Sequence, residues 1–147
     1  MGKPQIVREL MENLDKVNEI FGELEPIFKF LRLKVVNLEE GHAVMEMPYH
    51  RDATRTGDIL HGGAIMTVMD YTGGLTVMTV NDGNDQVTQE LKINFLEPMR
   101  EGPFRSEGRI VRKGRTAVIV DLEFRDATGK LGAKGLGTWY ILRKNSK

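Results

Sequence analysis

Residues 61–80 read HGGAIMTVMDYTGGLTVMTV, and how this stretch is read decides the fold. Its twenty residues carry one formal charge, Asp70. A run this apolar is long enough to suggest a membrane span. Four threonines, four glycines and the aspartate argue against one. A helix over Gly62–Val80, buried in the middle of a domain, fits better, because the stretch is apolar nearly all round. Its local helix preference is poor: Thr67, Val68, Thr72, Thr76, Val77, Thr79 and Val80 are β-branched, which costs side-chain freedom in a helix. Packing has to hold it, so the rest of the chain must wrap it.

Downstream the apolar period changes to two. Val87, Gln89, Leu91, Ile93 and Phe95 alternate with Thr88, Glu90, Lys92 and Asn94. Phe104–Arg112, Val118–Phe124 and Leu131–Leu142 read as further strands, joined by turns at Lys113-Gly114-Arg115 and Asp126–Gly129. Gly132, Gly135 and Gly137 mark close approach or bulges in the last strand. Upstream, Leu31, Leu33 and Val35, a turn at Glu39-Glu40-Gly41, and Ala43, Met45, Met47 and Tyr49 predict a β-hairpin. Ahead of it, Ile6, Leu10, Leu14, Val17, Phe21 and Leu24 recur at helical spacing between Pro4 and Pro26, which predicts one amphipathic helix. The expected organisation is residues 1–30, this helix and its connection, followed by a main domain over 31–147. The fold class is α+β: an antiparallel sheet wrapped around one long central helix, with an extra N-terminal helix.

With 147 residues, 40% of them hydrophobic, the chain is the size of one domain with a sizeable core. Lys+Arg and Asp+Glu are both 21, which argues against a nucleic-acid partner, where a basic stripe is expected. The absence of cysteine excludes disulfides, thiolate metal sites and cysteine nucleophiles. With His42, His50 and His61 scattered, no metal or cofactor is expected. The N-terminus lacks the apolar run of a signal peptide, and Ile6 breaks the myristoylation pattern, so a cytoplasmic protein with no membrane partner is expected.

Asp70 is the most informative residue. A carboxylate inside an uncharged helix is costly to bury without a partner, and burial favours its neutral form. It reads either as a general base or nucleophile, or as a carboxylate that emerges at the helix surface or caps a neighbour. His61-Gly62-Gly63 falls at the helix start and alone reads first as a plain turn with His61 capping or packing; the other reading is that bare N–H groups there meet an oxygen gaining charge. Asp70 follows His61 by nine residues, roughly 13.5 Å of rise and half a turn of net rotation on one helix. The two point to opposite sides. If both serve one reaction they come from two copies of the chain. Arg112-Lys113-Gly114-Arg115 is either a solvated hairpin tip or an anion site. Met45, Met47, Met66, Met69 and Met78 suit core filling, or a tunnel for a variable apolar chain.

His61-Gly62-Gly63-Ala64-Ile65, Asp70 at its spacing, Thr88 on the following strand, and Asn94-Phe95-Leu96-Glu97-Pro98 resemble the hotdog-fold acyl-coenzyme A thioesterases, most closely the phenylacetate-degradation type. The resemblance spans about Leu31 to Leu142. It implies a catalytic Asp70, a Gly62 N–H that polarises the thioester carbonyl, a His61 that shapes the site and a Thr88 that helps hold the attacking water. It also implies that Phe95, Leu96 and Arg100, together with Arg112, Lys113, Gly114, Arg115 and Thr116, line the coenzyme A arm, and that the protein is a homodimer or homotetramer with sites at the dimer interface. Two features depart from the pattern: Arg55 stands where many members carry Asn, and Gly57 lies one residue earlier than usual. The alternatives are a non-catalytic acyl-CoA binding protein and an acyl-thioester hydratase or dehydratase on the same fold.

Overall fold

A computed structural model describes residues 2–144. The N-terminal helix is not continuous. It divides into α1 (Gln5–Glu12), α2 (Leu14–Leu24) and α3 (Pro26–Phe30). The break falls at Asn13, whose side chain accepts the Lys16 N–H and caps α2. Pro26 opens α3 rather than closing the helix before it, as suits a proline in a first turn. The hairpin strand also starts later than the alternation from Leu31 suggests. Arg32 adopts φ 56°, and the Leu33 and Arg32 N–H groups bond the carbonyls of Phe28 and Lys29. This is a Schellman closure of α3, so Leu31 and Leu33 are core residues of a turn, both buried.

The strands are β1 (Lys34–Glu39), β2 (His42–Met47), a short pair β3 (Thr54–Arg55) and β4 (Ile59–Leu60), then β5 (Asp85–Phe95), β6 (Phe104–Lys113), β7 (Ala117–Arg125) and β8 (Leu131–Leu142). The short pair carries too few residues for a visible alternation. Six strands form one antiparallel sheet in the order β1-β2-β6-β7-β8-β5, which leaves β5 at an edge. The central helix, α4 (Gly62–Met78), packs on β2, β5, β6, β7 and β8.

Alternation along β6, β7 and β8 sorts the two faces. Phe104, Val118, Val120, Leu122, Phe124, Trp139 and Ile141 are buried in the core, on strands that α4 packs against. On the outer face Lys134 bridges Asp121 at 2.8 Å and Glu123 at 3.0 Å. Met45, Met47 and Met69 are core residues, whereas Met66 is exposed. The unfavourable threonines of α4 are satisfied within the helix: Thr72 Oγ1 donates to the Val68 carbonyl and Thr76 Oγ1 to that of Thr72. Close approach explains glycine at two positions. A β-carbon at Gly73 on α4 or at Gly137 on β8 would overlap the Trp139 indole. The N-terminal helices join the same core through Val17 and Phe28. Among the described residues, no helix is long and apolar enough to cross a membrane.

Candidate active site

Strand β4 runs into α4 at His61, the helix N-cap. Its approach is fixed by the Leu60 N–H on the Met99 carbonyl (2.9 Å) and the His61 N–H on the Ala53 carbonyl (2.8 Å). His61 Nδ1 accepts the Gly63 N–H at 2.8 Å, which places the ring proton of a neutral imidazole on Nε2. The ring therefore satisfies one of the helix's first donors. The Gly62 N–H finds no acceptor among the described residues. Gly62 lies against the Phe95 ring and shares with Phe95, Leu96 and Ile65 a cleft of about 290 Å³.

Two turns further along α4, Asp70 is half-buried rather than enclosed. Its Oδ1 accepts the Thr88 hydroxyl at 2.6 Å across to β5. No cation pairs with it among the described residues. Asp70 and Thr88 line a second cavity, of about 240 Å³, with Tyr71, Met78 and Trp139. Phe21 and Glu25 close it from the N-terminal segment. Tyr71 Oη donates to Glu25 Oε2. Burial, reinforced by that bond, raises the Tyr71 phenol above its usual range.

Within one chain, then, the carboxylate and the free helix-tip donor open into different clefts, as their spacing requires. Thr88 and Asp70 meet; Gly62 meets Phe95 and Leu96. The cationic turn after β6 sits at the other end of the sheet from Phe95. Through β8, Lys113 aligns by way of Val118 and Trp139 with Thr88, while Phe95 pairs with Ala133. Arg112, Arg115 and Thr116 are exposed at this turn, and the Gly114 N–H donates to the Ala117 carbonyl. Lys113 is not free: it pairs with Asp82 at 3.8 Å, and Arg143 binds the same carboxylate at 2.7 Å. The Arg143 hydrogen bond beside Asp82 holds its carboxyl below the usual carboxylate range. Arg100 and Arg55 are exposed and line neither cleft.

Sequence reasoning missed Phe21, Glu25, Tyr71 and Trp139 as companions of Asp70. Glu25 and Tyr71 are separated by 46 residues, and no local pattern joins them. The one available signal was a tyrosine directly after the lone aspartate of an apolar helix.

A sheet wrapped round one helix, with an acid on that helix and a bare N–H at its tip, is the hotdog arrangement. The family description "Thioesterase superfamily" matches residues 57–133. A Saccharolobus solfataricus protein that carries the provisional name of esterase is 61% identical over 127 residues, 86% of this chain and 91% of that relative. The PaaI protein of the E. coli phenylacetic acid degradation operon shares the fold, with TM-score 0.79, 19% identity, and coverage of 90% of this chain and 96% of that one. A Streptococcus mutans UA159 protein, solved with acetyl CoA bound, is 28% identical with TM-score 0.70, covering 78% of this chain and 91% of that one. The chain belongs to the thioesterase superfamily and is a thioester hydrolase of hotdog fold.

Proposed function

We propose that this protein hydrolyses an acyl-coenzyme A thioester to a free acid and CoA, at sites built by two copies of the chain. The observation that carries the proposal is the Asp70 carboxylate, held by Thr88 at 2.6 Å beside a cavity and without a cation. Thr88 fixes one carboxylate oxygen. The other is left to take a proton from water as that water attacks the thioester carbonyl. The oxyanion so formed needs a donor, and the Gly62 N–H of the second protomer supplies it. Collapse of the intermediate breaks the carbon–sulfur bond. The CoA sulfur leaves as thiolate and takes up the proton.

Strand β5 supports the pairing of copies. This edge strand spans eleven residues, and exposed edges of that length invite another strand. Val87 and Phe95 are exposed along it, and Leu96 just beyond its end. Antiparallel pairing of two such edges about a two-fold axis sets the Thr88 end of one beside the Phe95 end of the other. Asp70 of one protomer then faces Gly62 of its twin. The same operation gathers Arg112, Lys113, Gly114, Arg115 and Thr116 of one copy with Phe95, Leu96 and Arg100 of the other. Both sets, separated in one protomer, would line one coenzyme A arm. The structural relative with acetyl CoA bound supports that ligand class.

Asp70→Asn keeps the shape of the side chain and removes the base. Thiol release from acyl-CoA by the purified dimer is expected to fall by about 10²–10⁴. A wild-type rate would overturn the assignment.

A further inference from the structure

One wall of the cavity beside Asp70 comes from neither the sheet nor the central helix. Phe21 and Glu25 of the N-terminal segment supply it, and both lie outside the family-matched residues 57–133. The segment is firmly seated. Asn18 on α2 bonds the backbone of Val35 twice, at 2.9 and 2.7 Å. Phe28 packs edge-on against Tyr71, with ring centroids 5.9 Å apart, and Tyr71 donates its hydroxyl to Glu25. Burial keeps that phenol protonated well into alkaline solution, so the donor is present at every physiological pH.

The lining has a clear charge character. Asp70 and Glu25 both face the cavity, and none of its lining residues is Lys, Arg or His. An acyl group ending in a carboxylate would shed water there and meet two like charges without a counter-ion. The size is also bounded. The cavity, about 240 Å³, exceeds the roughly 150 Å³ that holds a benzene ring, and Phe21 forms part of its wall.

We propose that Glu25 is a specificity-determining residue: held by Tyr71, it excludes acyl groups with an anionic far end, while Phe21 beside it limits their length. The inference rests on the acyl-CoA thioesterase reading and narrows its substrates to acyl groups that are compact and uncharged at the far end.

The test compares full-length wild type, Glu25→Gln and Phe21→Ala by kcat/KM. The substrates are straight-chain acyl-CoAs from short to long and ω-carboxyacyl-CoAs of matched length. Glu25→Gln is expected to shift the ratio of ω-carboxyacyl to unsubstituted substrate at least about tenfold toward the charged one, the size of a one-unit electrostatic effect, mainly through KM. Phe21→Ala is expected to move the preferred chain length upward. An unchanged ratio in Glu25→Gln overturns the charge filter, and an unchanged length profile in Phe21→Ala overturns the wall. Calorimetric binding of the same matched pair to Asp70→Asn, with and without Glu25→Gln, separates this inference from the catalytic reading. Discrimination that Glu25→Gln relaxes supports the filter even if no protein turns over any acyl-CoA, an outcome that would sink the thioesterase reading alone. Equal binding of the pair to Asp70→Asn overturns the filter whatever the turnover.

Discussion

Gly62→Pro removes a single hydrogen-bond donor, the N–H at the tip of α4. Gly62 is the first residue of α4, a position where proline is over-represented because its N–H is unused by the helix. His61 before it has φ −66° and ψ 133°, the extended conformation that a residue preceding proline prefers. A β-carbon at position 62 would meet the Phe95 ring at 3.6 Å, an ordinary contact. The substitution therefore suits the backbone, removes the N–H and puts the Cδ of the proline ring in its place. Stability should stay within about 1 kcal/mol of wild type, on the stabilising side. If that N–H holds the oxyanion, kcat falls by about 10²–10³, equivalent to about 2.7–4 kcal/mol of transition-state stabilisation. The assay is steady-state thiol release together with a thermal melt, with Gly62→Ala as the control that retains the donor. A folded Gly62→Pro protein whose kcat stays within about threefold of wild type would refute the role of the helix tip.

Two further substitutions probe the seating of the N-terminal segment. Asn18→Ala strips the Val35 N–H and carbonyl of their side-chain partner and should cost about 1–3 kcal/mol, read from the urea midpoint. Tyr71→Phe removes a phenol whose native pKa is raised. The stability contributed by that shift is present below the usual phenol value of about 10 and disappears as pH rises through the native value. The wild-type advantage over Tyr71→Phe should therefore hold at neutral pH and shrink only in strongly alkaline solution, and the difference ultraviolet titration should place the ionisation there.

Much of the fold was legible because it rests on periodicity. The change from an all-round apolar run at 61–80 to strict alternation after Val87 marks a buried helix and a wrapping sheet, and the charge-free inner face of β6, β7 and β8 bears out that division. What periodicity could not reveal is where a helix breaks. Asn13 interrupts an otherwise regular apolar stripe because its side chain caps the next helix, and Arg32 takes a left-handed turn that no residue preference announces. The site divides in the same way. Asp70 stands out as the one charge in its run, and Thr88 on the following strand donates its hydroxyl to it. The Glu25–Tyr71 contact depends on how two distant segments pack. Asp82, which claims Lys113 and Arg143, shows that a cationic turn can be partly neutralised by a residue from another loop.

The account depends most on a site shared between two protomers. Mixing Asp70→Asn with Gly62→Pro, each inactive alone, tests it directly. A mixed dimer contains one site with both lesions and one with neither. Random reassortment of equal amounts is therefore expected to restore about a quarter of the wild-type rate, since half the dimers are mixed and each carries one intact site. Reassorted protein no more active than its two parents would contradict a site built from Asp70 of one chain and Gly62 of the other.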